Sequence, residues 1–302
     1  MTAPRRLFRS TRGDVELGGR PWLMGIVNAT PDSFSDGGLP HTLDARVALA
    51  ESLISSGADV IDIGGESGVT NRAPVDPDEE IERVVPLIER VAGGLGALVS
   101  VDTYKPPVAR AAIAAGAAIV NDVSGLRDLE LADVCAETGA GLVLMHTRAA
   151  PKQKLLDPSL DGRIVDDVRS LLAELISLAV DRGVAFEQLI VDPGPDFGKT
   201  PAQTVEVMRA LGDLHELGRP VLLAVSRKDF VGAITSRPPR ERLAGTLAAV
   251  AHGVASGAHV LRVHDLAEVA DFLAVEEVLS GAVQLERDAR LVDGLRWQQS
   301  DG

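Results

Sequence analysis

The chain contains a single cysteine, Cys135, in 302 residues. A lone thiol excludes an intramolecular disulfide, and with no C-x-x-C or Cys/His cluster there is no zinc signature, so a reducing cytoplasm is the expected setting. Cys135 itself reads as near-core filler on a helix face. Aromatic residues are scarce, 3% against a hydrophobic fraction of 45%, so the core must be built from Val, Ile, Leu and Ala, as in parallel strands buried on both faces. Positive charge is in deficit, with 30 Lys and Arg against 44 Asp and Glu and a net charge of -14. That balance argues against a nucleic-acid partner, although basic residues gathered in a cleft can still hold a small phosphate. No run of about 18 apolar residues is present, as a membrane-spanning helix needs. The basic opening Met1-Thr-Ala-Pro-Arg-Arg-Leu7 also lacks the apolar stretch of a secretory signal. A soluble, cytoplasmic protein with no membrane association is expected. No Pro/Ser/Gly-rich or charge-rich linker interrupts the sequence, so residues 1–302 are read as one domain.

What is present is a repeated pattern in which short β-branched runs release polar or glycine residues at their ends. Met24-Gly-Ile-Val27 leads into Asn28, Val60-Ile-Asp-Ile63 into Gly64-Gly-Glu-Ser67, Leu98-Val-Ser-Val101 into Asp102, and Ala118-Ile-Val120 into Asn121. Leu142-Val-Leu-Met145 leads into His146-Thr-Arg148, Leu189-Ile-Val191 into Asp192-Pro-Gly, Val221-Leu-Leu-Ala-Val225 into Ser226-Arg-Lys228, and His259-Val-Leu261 into Arg262-Val-His264. Helical patterns alternate with these runs at about 42–56, 77–92, 106–115, 128–138, 164–182, 200–215, 239–256 and 265–279. Thr200-Pro201 and Asp76-Pro77 mark two helix starts, with proline where the first turn tolerates it. Eight strand and helix pairs predict an α/β fold, a (β/α)8 TIM barrel, with an active site on the rim where the strands end. Residues 1–20 read as a β-hairpin under the barrel and 283–302 as a tail or terminal helix. The long connection from Arg148 to Arg163, with Lys152, Lys154 and Leu155-Leu156, reads as part of a mobile lid.

Laid out in order, the rim residues resemble the dihydropteroate synthase family of folate biosynthesis. The matching stretches are Met24 to Gly38 (MGIVNATPDSFSDGG), Asp62-Ile-Gly-Gly-Glu-Ser67, Ser100-Val-Asp-Thr-Tyr-Lys105, Asn121-Asp-Val-Ser-Gly125, Leu144-Met-His-Thr-Arg148, Asp192-Pro-Gly194 with Phe197-Gly-Lys199, Ser226-Arg-Lys228, and Arg262-Val-His264. They are collinear over about residues 20–275. The resemblance implies a transferase that joins 6-hydroxymethyl-7,8-dihydropterin diphosphate to p-aminobenzoate with Mg2+, releasing pyrophosphate and 7,8-dihydropteroate, and working as a homodimer. Asp192 and Asn121 would bind the pterin edge, and Asp102 would contact the pterin and stabilise positive charge on it. Met145 and Phe197 would bound the ring plane. Lys228, Arg262 and His264 would supply cations to the ring and the diphosphate, making Asp102, Lys228, Arg262 and His264 the catalytic set. Asn28 would hold the Mg2+, a hard ion that prefers oxygen. Arg227 would line the entrance for the second substrate, and Thr30, Asp32 and Phe34 would belong to a covering loop. His146 and Arg148 are either rim contacts or satisfied structural residues.

The sequence departs from the family at three places. Gly68 and Val69 stand where the second covering loop has threonine and arginine, and Arg72 either replaces the missing cation or faces solvent; Asp196 stands where the pattern has glycine; and Asp229 stands where serine follows Ser-Arg-Lys. Asp229 either faces the p-aminobenzoate carboxylate, which it would repel, or opens the next helix and points away. Two other functions remain in view: a paralogue that binds a pterin but uses another acceptor or none, and a pterin-dependent methyltransferase.

Overall fold

The structure is a computed structural model describing residues 3–30, 42–67, 73–153 and 155–296. The expected barrel is present. Two short strands open the chain, β1 (Arg6–Ser10) and β2 (Gly13–Leu17), paired antiparallel. Eight parallel strands follow: β3 (Trp22–Asn28), β4 (Val60–Gly64), β5 (Val99–Asp102), β6 (Ile119–Asp122), β7 (Gly141–Met145), β8 (Leu189–Asp192), β9 (Leu222–Leu223) and β10 (Val260–Val263). They hydrogen-bond in the order β8-β7-β6-β5-β4-β3-β10-β9. A bridge between Val191 and Val221 joins β8 to the start of β9 and closes the ring, helped by the Val191 N–H donating to the Pro220 carbonyl at 2.9 Å.

The helices are α1 (Leu43–Ser55), α2 (Pro77–Ile88), α3 (Pro106–Ala114), α4 (Glu130–Thr138), α5 (Ile164–Asp181), α6 (Pro201–Arg209), α7 (Asp229–Thr235), α8 (Leu243–Ala255) and α9 (Leu266–Leu279). The proline-marked starts behave as expected. The Asp76 side chain accepts from the Asp78 N–H, and Thr200 forms a capping box with Gln203. The element that periodicity missed is α7. Its seven residues, Asp-Phe-Val-Gly-Ala-Ile-Thr, are too few to show a helical repeat and include a glycine and β-branched residues. The pattern over 239–256 also starts too early. Pro238 and Pro239 offer no N–H, the chain makes a 3-10 turn at Pro239–Glu241, and α8 begins at Leu243. Likewise α6 ends at Arg209, and a 3-10 turn carries the chain from Leu211 to Leu217 past Gly212. Among the described residues from 283 to 296, most are exposed and the regular structure is a 3-10 turn at Asp293–Leu295.

Two apolar clusters divide the interior. The larger lies between the strands and the helices, and the smaller gathers Met24, Val60, Ile119, Val143, Ile190, Leu222 and Val260 with Phe8 and Leu17 of the hairpin. The hairpin is fastened beneath the strand N-termini. Phe8 presses so close to Gly141 that a Cβ there would lie 2.5 Å from its ring, and Arg219 donates to the Leu7 carbonyl at 2.7 Å. With the lower end filled by side chains, the polar strand ends at the opposite rim are left to do the chemistry.

Candidate active site

Register places the site residues side by side. Asn28 pairs with Gly64, Gly64 with Asp102, and Asp102 with Asn121, so the polar ends of β3 to β6 lie at one level. Met145 pairs with Asp192 in the same way on β7 and β8. Asp102, Asn121, Met145, Asp192, Lys228, Arg262 and His264 are therefore brought to one rim. Thr30 is buried at its edge, where its carbonyl accepts from Arg46 at 3.0 Å. Asp32, Phe34, Gly68, Val69, Arg72 and Lys154 lie outside the described residues.

One oxygen of the buried Asp192 accepts the Gly194 N–H at 2.7 Å. That bond orients the carboxylate and leaves the second oxygen for a ligand. Burial pushes the Asp192 pKa up, against the pull of Lys228 and Lys199. The turn that supplies the donor requires glycine: Gly194 has φ +62°, and a Cβ there would lie 2.2 Å from the His146 carbonyl oxygen.

Across the rim, Arg262 is engaged along one side by two carboxylates. Its Nε donates to Asp62 at 2.6 Å and its Nη2 to Asp102 at 2.8 Å, while the Asn121 amide donates to the same Asp62 oxygen at 3.2 Å. The two carboxylates outweigh burial and hold the guanidinium pKa above its ordinary value. Asp102 is pushed up to about 7 by burial and by the neighbouring Asp62, with Arg262 resisting. Asp62 is fully buried, and among the described residues its second oxygen has no hydrogen-bond partner. Asp62 lies in the Asp62-Ile-Gly-Gly-Glu-Ser67 stretch, where the resemblance implies no role for it. The signal was present, since a carboxylate inside Val60-Ile-Asp-Ile63 needs a cation once that strand is buried.

The expectation that His264 is a cation in the free protein is corrected. Burial first, then Arg262 and Arg227, drive its pKa down to about 4, so the ring is neutral near pH 7. Ser226 Oγ accepts the His264 backbone N–H at 3.2 Å and lies 3.1 Å from Nδ1. With the hydroxyl donating to Nδ1, the ring carries its proton on Nε2 and serves as a neutral donor. Lys228 stands over the Phe197 ring at 4.2 Å, a cation–π contact. Burial lowers the Lys228 pKa, while Asp196 and Asp192 oppose the fall. Arg227 is pinned to Asp265 by a two-pronged ion pair, and its N–H donates to Thr246 Oγ1 at 3.1 Å.

His146 takes the structural role. It is buried, its Nε2 lies 2.9 Å from Asp167, and its Nδ1 is 2.7 Å from the ammonium of buried Lys199. Lys199 is a donor there, so Nδ1 accepts and Nε2 carries the hydrogen toward Asp167. Burial, reinforced by the Lys199 charge, pushes His146 down to about 3. Lys199, itself lowered to about 7 by burial, also donates to the Gly194 carbonyl at 2.9 Å and the Phe197 carbonyl at 3.2 Å. Arg148 completes the chain by pairing with Asp167 at 2.6 Å. This network, whose member Asp167 lies in none of the motifs, holds the loop after β8 against the end of β7.

Two of the departures have plain structural accounts. Asp229 is 85% exposed and pairs with Arg242 at 3.0 Å, so it opens α7 and points to solvent. Asp196 occupies its position with φ +64°. The proposed lid is anchored at Lys152, which pairs with Glu66 at 2.9 Å and donates to the Ser67 carbonyl.

The comparisons with known proteins agree with this geometry. The family described as pterin binding enzyme matches residues 24–264. A dihydropteroate synthase of Bacillus subtilis (strain 168) is 45% identical over 249 residues, covering 82% of this chain and 85% of that protein. The structure of Xanthomonas albilineans dihydropteroate synthase with 4-aminobenzoic acid superposes with a TM-score of 0.80 at 42% identity, covering 88% of this chain and 95% of that one. Burkholderia cenocepacia dihydropteroate synthase complexed with 7,8-dihydropteroate gives a TM-score of 0.83 at 38% identity, covering 93% and 98%. The chain belongs to the pterin binding enzyme family, among the dihydropteroate synthases.

Proposed function

We propose that the chain condenses 6-hydroxymethyl-7,8-dihydropterin diphosphate with p-aminobenzoate. The bond from the pterin methylene to the diphosphate oxygen breaks and pyrophosphate leaves with the electron pair. The aromatic amine then forms the new C–N bond and releases its surplus proton. The observation that carries this reading is the oriented Asp192 carboxylate on the same rim as Asn121, Asp102, Lys228 and Arg262. Asp192 accepts from the pterin N–H groups, Asp102 stabilises the developing positive charge, and Lys228, Arg262 and the His264 Nε2–H receive the diphosphate.

Among the described residues no cluster of three or more His, Cys, Asp or Glu side chains is arranged to hold a metal. A Mg2+ therefore fits as an ion carried by the diphosphate, with the Asn28 amide oxygen as the contact from the protein. When bound, the ion draws negative charge from the leaving group. A homodimer is part of the same proposal, supported by the exposed Ile234 on α7 and Val275 and Leu279 on α9; sedimentation of a monomer at micromolar concentration would remove it. No helix among the described residues is long and apolar enough to cross a membrane. A cytoplasmic location is proposed on the lone, buried Cys135, and recovery of the protein in another compartment would count against it.

Calorimetry with two ligands tests the assignment. His264→Ala should weaken the pterin diphosphate about tenfold or more and leave bare 6-hydroxymethylpterin nearly unchanged, because the ring donates to the leaving group alone. Equal losses for the two ligands would contradict this division of the site.

A pH profile tests Asp102. Its carboxylate form is the useful one, so kcat/KM should rise with pH through about 7 and fall below it. Asp102→Asn should lack that acidic limb; a limb that survives belongs to another group.

Because Asp229 faces solvent, Asp229→Ser should change the KM for p-aminobenzoate by no more than about twofold. A tenfold fall would place Asp229 against the substrate carboxylate and restore the reading in which the acceptor site is altered.

A further inference from the structure

We infer that Asp196 is a positioning residue for Lys228, holding the loop after β8 to the first turn of α7 so that the ammonium stays over the Phe197 ring and beside Asp192. The inference rests on the proposed role of Lys228 at the substrate.

The geometry begins with an unusual backbone. Asp196 has φ +64°, in the left-handed region where a Cβ is costly for most residues and where aspartate is tolerated because its short side chain can bond locally. Its own N–H donates to Thr204 Oγ1 at 3.1 Å, and the same hydroxyl lies 3.1 Å from Asp196 Oδ1. Thr204 is fully buried on α6, so one end of the aspartate is fixed to a rigid element. The other carboxylate oxygen reaches across to a different loop and accepts the Phe230 N–H at 3.2 Å. Phe230 is buried and lies two residues beyond Lys228. Through these bonds α6, the turn carrying Phe197, and the start of α7 become one unit.

Lys228 sits where that unit closes. The residue after Asp196 supplies the ring beneath the Lys228 ammonium, and the residue bonded to Asp196 belongs to the turn that Lys228 opens. The charged groups acting on Lys228 are Asp192 on β8, Asp196 on the following loop, Arg262 on β10 and its neighbour Asp229. Asp229 is exposed and paired with Arg242, and Asp196 and Asp192 act on the ammonium more strongly than it does. A glycine at 196 would relax the backbone but lose both the bond to Phe230 and the charge. Asparagine would accept the left-handed conformation and keep an oxygen for Phe230, but would carry no charge.

These differences separate positioning from mere folding. In Asp196→Gly, kcat/KM for the pterin diphosphate should fall about tenfold or more, carried by kcat, while the Tm stays within a few degrees of wild type. Asp196→Asn should recover most of the lost kcat. A second reading does not depend on turnover: the reactivity of Lys228 toward an amine-directed label, followed by peptide mass spectrometry across pH. Its titration should move to lower pH by roughly half a unit to one unit in both variants, because each removes a negative charge beside the ammonium. If Lys228 titrates as in wild type in both variants, Asp196 does not act on it and the inference fails. It also fails if wild type is active and Asp196→Gly keeps kcat/KM within twofold. If wild type makes no dihydropteroate but the two variants show the labelling shift relative to it, the proposed reaction is overturned and the Asp196–Lys228 relation stands.

Discussion

Replacing Arg262 with alanine is expected to produce the largest loss of any single rim substitution, in stability and in turnover together. The guanidinium bridges Asp62, which is fully buried, and Asp102. Its removal leaves two carboxylates facing each other with the Asn121 amide as the remaining donor on Asp62. Breaking a buried pair by deleting one partner costs about 3–5 kcal/mol, because the surviving charge stays desolvated. Part of that cost is avoidable. Asp102 is already pushed up to about 7, and without Arg262 it would hold its proton to still higher pH. The loss in stability should therefore be smaller at pH 5 than at pH 8, which urea unfolding at the two pH values would reveal. Protonating Asp102 also removes the carboxylate assigned to the pterin cation, so turnover near neutrality should fall by at least about a hundredfold. Arg262→Lys should recover only part, since an ammonium lacks the planar fork that reaches both partners. An unchanged unfolding midpoint in Arg262→Ala would show that the bridge does not hold the rim together.

Asp192→Asn is expected to weaken pterin binding strongly while sparing the fold. The amide oxygen can take over the bond from the Gly194 N–H, which keeps the turn closed. The group then facing the pocket is an NH2 donor set against the N–H donors of the pterin. A donor left unmatched in a buried site costs about 1–3 kcal/mol, roughly a ten- to hundredfold rise in Kd. The Tm should change little. Calorimetry with a pterin checks the first expectation and a thermal melt the second. Undiminished affinity would remove Asp192 from the site.

How much of this was readable from the sequence differs by element. The eight strands and their polar ends were legible because a parallel barrel buries both faces of each strand, which leaves β-branched runs bounded by rim residues. Helices opened by Asp76-Pro77 and Thr200-Pro201 were legible because caps are local chemistry. Helix α7 was not, since seven residues carry no period. Charge states were also hidden. His264 looks like a cation in sequence, but its neutrality comes from burial and from Arg262 and Arg227, the latter 37 residues away along the chain. The same holds for Lys199, whose partner His146, bonded in turn to Asp167, lies beyond another strand. Asp196 was noticed as a departure, but its bond to Phe230 becomes visible only when two loops meet. For Asp229, sequence cannot say which way a helix-opening aspartate points; its exposure and its pairing with Arg242 decide it.

The measurement that tests the account most directly is a single incubation of the purified protein with 6-hydroxymethyl-7,8-dihydropterin diphosphate, Mg2+ and p-aminobenzoate, following pyrophosphate and dihydropteroate in the same sample. The account predicts one dihydropteroate for each pyrophosphate, with both products falling together in Asp192→Asn. Pterin binding without pyrophosphate release, or pyrophosphate released without dihydropteroate, would contradict it.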